Sequence, residues 1–283
     1  MSDLPSAPPP TVIVTRLRAA GCVFAEDEAR LLISAARTRA ELAAMVDRRA
    51  AGLPLEQVIG WAEFCGLRIT VDPGVFVPRL RTEFLVRQAA ALARQAAGPA
   101  GQAGGPAGQA ALDRPRAVVV DLCCGSGAVG AALVAVLGPV ELHAVDIDPA
   151  AVRCARRNAA AGGGRVYEGD LYQPLSAALR GRVDILVANP PYVPTEAIGL
   201  LPPEARVHEP RAALDGGADG LEILRRVTAA ASQWLAPGGH LLVETSERQA
   251  PQAVEAAARG GLIPRAAISG ELNAAVVIGR LAV

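Results

Sequence analysis

Residues Ala117-Val118-Val119-Val120-Asp121-Leu122 make a short β-branched run that gives way at once to Cys123-Cys124-Gly125-Ser126-Gly127-Ala128-Val129-Gly130. A strand, a glycine turn and a helix in direct succession commit the chain to an α/β fold, because the helix must pack back on the sheet its strand joins. The patterning predicts strands at 117–122, 140–145, 165–167, 183–188, 240–244, 262–268 and 275–281, and helices at 128–137, 149–161, 219–235 and 247–259. Such alternation calls for a largely parallel sheet covered on both faces. Ligands of these sheets bind outside the carboxyl ends of the strands, where the loops bearing Asp121, Gly125, Asp146, Asp170 and Asn189 would converge.

Residues 125–130 fit G-x-G-x-x-G, a weak motif when taken alone. Its glycines permit positive φ and close backbone approach to a ligand, and the following helix offers unpaired N–H groups. Asp146, ending the second strand, is placed to accept hydrogen bonds from ribose hydroxyls. NAD and S-adenosylmethionine both carry that ribose, so Asp146 does not choose between them. Asp121 favours a cationic amino acid or sulfonium over a pyrophosphate, which its charge would repel, although an Asp here could also simply cap the glycine turn.

Asp184-Ile185-Leu186-Val187-Ala188 runs into Asn189-Pro190-Pro191-Tyr192. In isolation a Pro-Pro pair after a strand is a stiff turn. Its chemistry offers more, since the prolines lock two φ angles and remove two donors, leaving the carbonyls of Asn189 and Pro190 free to accept. The Asn189 amide and the Tyr192 ring complete a set that could hold an NH2 group and stack on its plane.

These motifs, in this order, resemble the HemK/PrmC family of protein N(5)-glutamine methyltransferases, within the class I S-adenosylmethionine-dependent enzymes. Val77-Pro78-Arg79 with Thr82-Glu83, the Asp121-to-Gly127 loop, Val145-Asp146, Glu168-Gly169-Asp170 and Asn-Pro-Pro-Tyr carry the likeness. The most family-specific stretch is Glu209-Pro210-Arg211-Ala212-Ala213-Leu214-Asp215-Gly216-Gly217-Ala218-Asp219-Gly220-Leu221. The resemblance implies a seven-stranded sheet with the last strand antiparallel, a helical N-terminal domain that helps recognise a protein substrate, and direct transfer of a methyl group to a glutamine amide nitrogen. It assigns Asp121, Cys123, Gly125, Ser126, Gly127, Asp146, Asp170, Leu171 and Asn189 to S-adenosylmethionine, with Leu171 bordering the adenine or serving as a core leucine. Substrate contacts are assigned to Asn189, Pro190, Pro191, Tyr192, Arg79 and Glu83, with Asn189, Pro190 and Tyr192 acting on the reacting nitrogen. The family's usual substrate is the glutamine of the Gly-Gly-Gln loop in peptide release factors. Two departures bear on it: Pro78-Arg79-Leu80-Arg81-Thr82-Glu83 has leucine and arginine where a proline and an acid are usual, and Asn273-Ala274-Ala275 replaces an acidic-Arg-Val element. An exocyclic-amine methyltransferase of nucleic acid would use the same corner, whereas an NAD-binding or non-catalytic Rossmann protein would have no use for it.

With 283 residues, 51% of them hydrophobic, the chain can bury one α/β domain and a smaller accessory domain. Its 28 basic and 28 acidic residues cancel, so no general attraction to nucleic acid is built in, and nucleic acid enters only through a ribosomal setting. All the basic residues are arginine, which excludes lysine-dependent P-loops and Schiff bases. Five cysteines without C-x-x-C spacing and three scattered histidines predict a reduced, cytoplasmic protein without a metal site. No apolar run reaches membrane-span length, and a monomer is expected. Four regions are expected: a flexible proline-rich lead over 1–10, helices over 11–60 with a capping box at Thr38 and Glu41, a β-hairpin over 61–80, and the methyltransferase domain over 81–283 with a low-complexity insertion at 98–113. Arginines 30, 37, 39, 48 and 49 are expected to form a solvated face on those first helices, with an acidic partner such as ribosomal RNA as the alternative.

Overall fold

The computed structural model describes residues 9–97 and 116–283, so the insertion over 98–113 and most of the lead over 1–10 lie outside the described residues. The helical domain comprises α1 (Pro10–Ala19), α2 (Ala25–Ala35), α3 (Arg39–Ala50) and α4 (Leu55–Ile59). Pro10 suits the first turn of α1, where an N–H would have no partner anyway. Ile13, Leu17, Ala29, Leu32, Leu42 and Val46, at helical spacing, meet in one core. Thr38 Oγ1 accepts from the Glu41 N–H at 3.1 Å, and the Glu41 carboxylate accepts from the Arg37 N–H at 2.8 Å, one residue earlier than a standard capping box.

The expected solvated arginine face needs one correction. Arg49 is buried, and its Nε and NH2 donate to Glu28 at 2.6 and 3.0 Å, while NH1 stands 2.5 Å from Glu204. A planar fork with fixed donors can be buried against a carboxylate in a way a solvated cation cannot. This ion pair ties the helical domain to the short helix over 203–208, which borders the cavity described below.

A hairpin joins the domains: β1 (Trp61–Phe64) and β2 (Leu67–Thr70) pair antiparallel. Cys65 and Gly66 both take positive φ, 49° and 73°, as the favoured two-residue hairpin turn requires. Asn158 holds the hairpin against the main domain, accepting from the Thr70 N–H at 2.9 Å and donating to the Thr70 carbonyl at 2.9 Å and the Ser126 carbonyl at 2.8 Å.

The main domain runs α5 (Glu83–Ala97), β3 (Val118–Leu122), α6 (Ala128–Leu137), β4 (Glu141–Asp146), α7 (Pro149–Ala159), β5 (Arg165–Glu168), β6 (Val183–Ala188), α8 (Pro203–His208), α9 (Glu222–Ala231), β7 (Leu235–Thr245), α10 (Ala250–Arg259), β8 (Ile263–Ser269) and β9 (Ala274–Arg280). Seven strands form one sheet in the order β5-β4-β3-β6-β7-β9-β8, and only β9 runs antiparallel to its neighbours. Alternation along β3 divides the core. Val118, Val120 and Leu122 pack with α9 and α10, while Val119 faces Leu85 of α5 and Leu133 of α6.

Two boundaries differ from expectation. The helix expected over 219–235 is only Glu222–Ala231, because Gly220 takes φ +76° and Asp219 Oδ1 accepts from the Leu221 N–H at 3.1 Å, making a turn ahead of the helix. β7 starts at Leu235 rather than 240, since an irregularity in its pairing with β6 carries the strand across Pro237-Gly238-Gly239. Among the described residues, no helix is long and apolar enough to cross a membrane.

Candidate active site

A cavity of about 630 Å³ lies at the carboxyl ends of β3, β4 and β6. One wall is the glycine loop. Gly125 and Gly127 take φ +55° and +78°, and a Cβ on Gly127 would lie 3.0 Å from that of Ala155 on α7. Cys123 adopts φ +55° without the licence of glycine, and Leu171 does so at +50°; both border the cavity. Strained backbone of this kind gathers at ligand sites.

Three carboxylates surround this wall. Asp121 is 1% exposed, its Oδ2 accepts from the Gly130 N–H at 2.9 Å, and burial pushes its pKa up to about 7, with the charge of Asp146 adding to the rise. Asp146 accepts from the Gly125 N–H at 2.8 Å and the Asp148 N–H at 2.9 Å, which fixes the loop against the end of β4; burial raises its pKa too. Asp170 stands 2.5 Å from Arg226. Burial raises the Cys123 thiol well above its ordinary range, so it is a packing group rather than a nucleophile.

The opposite wall is the Asn189-Pro190-Pro191-Tyr192 corner, with all its peptide bonds trans. Among the described residues no N–H donates to the carbonyls of Asn189 or Pro190, so both remain available as acceptors. Asn189 Nδ2 donates to Thr82 Oγ1 at 3.5 Å, and the Tyr192 hydroxyl donates to Glu244 Oε1 at 3.4 Å. Uncommitted acceptors and an acid-bearing glycine loop thus line the same cavity.

The comparisons with known proteins agree with this geometry. A family model described as a methyltransferase small domain matches residues 109–217. A release factor glutamine methyltransferase of Geobacter sulfurreducens is 40% identical over 215 residues, which span 74% of this chain and 68% of that protein. The chain belongs to the release factor glutamine methyltransferase family. The corresponding protein of Mycolicibacterium smegmatis is 38% identical over 219 residues, 77% of this chain and 70% of its own length. A 4-amino-L-phenylalanine/4-methylamino-L-phenylalanine methyltransferase of Streptomyces pristinaespiralis is 37% identical over 209 residues, 72% of this chain and 65% of its own length.

The methyl donor of this family, S-adenosylmethionine, suits what lines the cavity. A buried carboxylate at Asp121 matches a cationic group, Asp146 keeps lone pairs for hydroxyls, and a pyrophosphate would meet three acids. Asp146→Ala should weaken S-adenosylmethionine binding at least tenfold by calorimetry, because it removes the anchor of the Gly125 amide, worth about 1–3 kcal/mol, and with it the acceptors expected to meet the ribose hydroxyls.

The family-specific stretch proves to be a brace for the corner. Val193 donates to the Leu214 carbonyl at 3.0 Å, and Gly216 donates to the Val193 carbonyl at 2.9 Å. A Cβ on Gly216 would stand 2.7 Å from the Pro191 carbonyl oxygen, and one on Gly220 would stand 2.3 Å from that of Tyr192. Glycine is required because backbone packs on backbone. Gln249 Nε2 then donates to the carbonyls of Tyr192 and Asp219, both at 3.0 Å.

Of the residues expected at the site, Asp121, Cys123, Gly125, Ser126, Asp146, Asp170, Leu171, Asn189, Pro190, Pro191, Tyr192 and Arg79 all border the cavity. Leu171 also belongs to the core, as one of its two readings has it. Gly127 stands just behind the lining, against α7. Arg79 is committed to Glu209, donating to both its oxygens at 2.7 and 2.6 Å, while the buried Glu209 also accepts from the Val77 N–H at 3.1 Å. Glu83 is not in the lining: it accepts from the Cys65 N–H at 2.8 Å and pairs with Arg87, joining the hairpin to α5. At the first departure from the family pattern, Leu80 projects outward, 67% exposed, while Arg81 borders the cavity. At the second departure Asn273 ends the turn before β9 while Ala274 and Ala275 begin the strand, buried and away from the lining. Sequence reasoning gave no role to Glu209, Glu244 or Gln249, although Glu209 opens the family-specific stretch and Glu244 is an acid following the apolar run Leu241-Leu242-Val243.

Proposed function

We propose that this chain transfers a methyl group from S-adenosylmethionine to the side-chain amide nitrogen of a glutamine in a peptide chain release factor. The observation that carries this reading is the pair of uncommitted carbonyls at Asn189 and Pro190, residues that line one cavity together with the acid-bearing glycine loop. When bound, S-adenosylmethionine supplies a methyl carbon made electrophilic by its sulfonium. An amide nitrogen is a poor nucleophile because its lone pair is delocalised. Holding both its N–H groups on the acceptors of Asn189 and Pro190, with Tyr192 beside the plane, orients that lone pair toward the loop wall. Positioning of this kind supplies up to about 7–11 kcal/mol in the best intramolecular cases. Pro190, Pro191, Leu171 and Leu214 exclude water from the space. The proton on the nitrogen becomes acidic only as the new bond forms, so no strong base is needed beforehand.

A flat amine would fit the same acceptors, and the relative named for 4-amino-L-phenylalanine favours that as a second reading. Labelled S-adenosylmethionine offered together with a bacterial release factor, ribosomal RNA and 4-amino-L-phenylalanine decides among them. Label on a release factor glutamine is expected. Label in RNA or only in the free amine would overturn the proposal.

Titration of Asp121 gives a second test. Its folded-state pKa of about 7 lies above the ordinary value of 3.8, so the ligand-free chain loses the stability held in the protonated form as pH rises through that interval. A bound cation favours the ionised form, so affinity for S-adenosylmethionine should weaken about tenfold per pH unit below about 7 and level off above it. The donor-induced rise in melting temperature should follow the same curve, and Asp121→Asn should flatten it.

A further inference from the structure

Among the described residues, the cationic side chains that line the cavity are Arg79, Arg81 and Arg226. Two of them are committed, Arg79 to both oxygens of Glu209 and Arg226 to Asp170. Arg81 is not. It stands in the 3-10 turn Leu80–Thr82 just ahead of α5, with its side chain 42% exposed. Its ionic neighbour is the buried Glu244, whose Oε1 lies 3.4 Å from Arg81 Nε, yet that contact makes no hydrogen bond to Nε. The terminal nitrogens of Arg81 have no hydrogen bond or ion pair among the described residues. The guanidinium lies 5.6 Å from the centre of the Tyr192 ring, so it flanks the corner read above as the seat of the reacting nitrogen.

A guanidinium donates and never accepts, and its planar fork matches a carboxylate. Glu244 keeps the charge beside Tyr192 from outside the lining, and the terminal donors are left for a group that enters. The rest of the wall narrows where an anion can go. Asp121, Asp146 and Asp170 oppose one on the cofactor side, whereas Arg81 favours one beside the corner. This is also the position at which arginine replaces the acid usual in the family, so the sign of the charge is reversed here. In an extended segment, side chains two residues apart share a face and stand about 7 Å from each other. That span is comparable with the step from the Tyr192 ring to the guanidinium.

We propose that Arg81 is a specificity-determining residue whose free guanidinium edge binds a carboxylate of the substrate, on an Asp or Glu two positions from the methylated glutamine. The inference rests on the glutamine reading above and adds the chemistry that the glutamine's neighbour must have.

Two peptides test it, each with a single glutamine and either Glu or Thr at both positions two residues away. The parent chain should methylate the Glu peptide with kcat/KM about tenfold higher or more, and bind it correspondingly tighter by calorimetry in the presence of S-adenosylhomocysteine. Arg81→Gln should abolish the preference, and Arg81→Lys, which keeps the charge but loses the fork, should retain only part of it. Melting temperature and cofactor affinity serve as controls for folding, and a ratio between two peptides is unmoved by a fraction of unfolded protein. Equal treatment of the two peptides by the parent, failure of both to bind, or an undiminished preference in Arg81→Gln would overturn the proposal. If Arg81→Gln fails to fold, the parent and Arg81→Lys decide. Methylation of both peptides alike sinks the inference and leaves the glutamine reading standing. A preference in binding that depends on Arg81, without methylation of either peptide, supports the inference and sinks that reading instead.

Discussion

Asn189→Ala is expected to lower kcat about a hundredfold while the affinity for S-adenosylmethionine stays within a few-fold of the parent. The asymmetry follows from where the side chain sits. The carboxylates on the cofactor side, Asp121 and Asp146, stand on β3 and β4 and are held by the N–H groups of Gly130, Gly125 and Asp148, none of which depends on Asn189. Asn189 itself reaches Thr82 and otherwise faces the cavity. Truncation removes an acceptor and lets the corner's remaining carbonyls relax, and a misplacement of roughly 1 Å in a reacting group costs about a hundredfold. Single-turnover rates at saturating cofactor, set beside calorimetric affinities, measure both quantities. Equal losses in binding and turnover would mean that the corner serves the cofactor alone.

Gly220→Ala should cost about 3 kcal/mol of stability. Two penalties add: about 1 kcal/mol for a side chain at φ +76°, and about 1–3 kcal/mol for forcing a methyl to within 2.3 Å of the Tyr192 carbonyl oxygen and 2.4 Å of Gln249 Nε2. For a domain of this size that corresponds to a fall of roughly 6–12 °C in melting temperature. Any relief of the clash must move Tyr192 or Gln249, so turnover should fall as well in whatever fraction stays folded. Gly66→Ala is the matched control, because Gly66 also has positive φ, +73°, yet nothing lies within 4 Å of its added Cβ. It should lose only about 1 kcal/mol and keep full activity. Parental melting and turnover in Gly220→Ala would show that the brace does not hold the corner.

The legible parts of this protein were those where one contiguous stretch carries both the fold and the chemistry. The run from Val118 to Gly130 is strand, turn and helix start at once, and Asn189-Pro190-Pro191-Tyr192 cannot form regular structure, so each local conformation was legible in place while their joint meaning came from their order along the chain. Residues whose meaning depends on a distant partner were not legible. Arg49 reads as one more helix-surface charge until Glu28, 21 positions away, is seen against it in the core. Arg79 looked free for substrate because Glu209, which holds it, lies 130 residues on. Glu83 followed the same pattern, its partner being a hairpin N–H at Cys65. The glycines at 216 and 220 were recognisable as a motif, but their reason, backbone packed on the carbonyls of the corner, appears only in three dimensions. The helix expected over 219–235 overran both ends: Asp219 and Gly220 form the turn before it, and Leu235 already belongs to β7.

The central claim is that uncommitted carbonyls at the end of β6 hold a planar nitrogen beside a bound sulfonium. A crystal structure with a non-reactive S-adenosylmethionine analogue and a release factor peptide bearing glutamine tests it most directly. The account predicts the glutamine amide nitrogen within hydrogen-bond distance of the Asn189 side chain and the Pro190 carbonyl, with the Tyr192 ring alongside. A glutamine bound elsewhere, with those carbonyls turned into the protein or occupied by its own side chains, would contradict it.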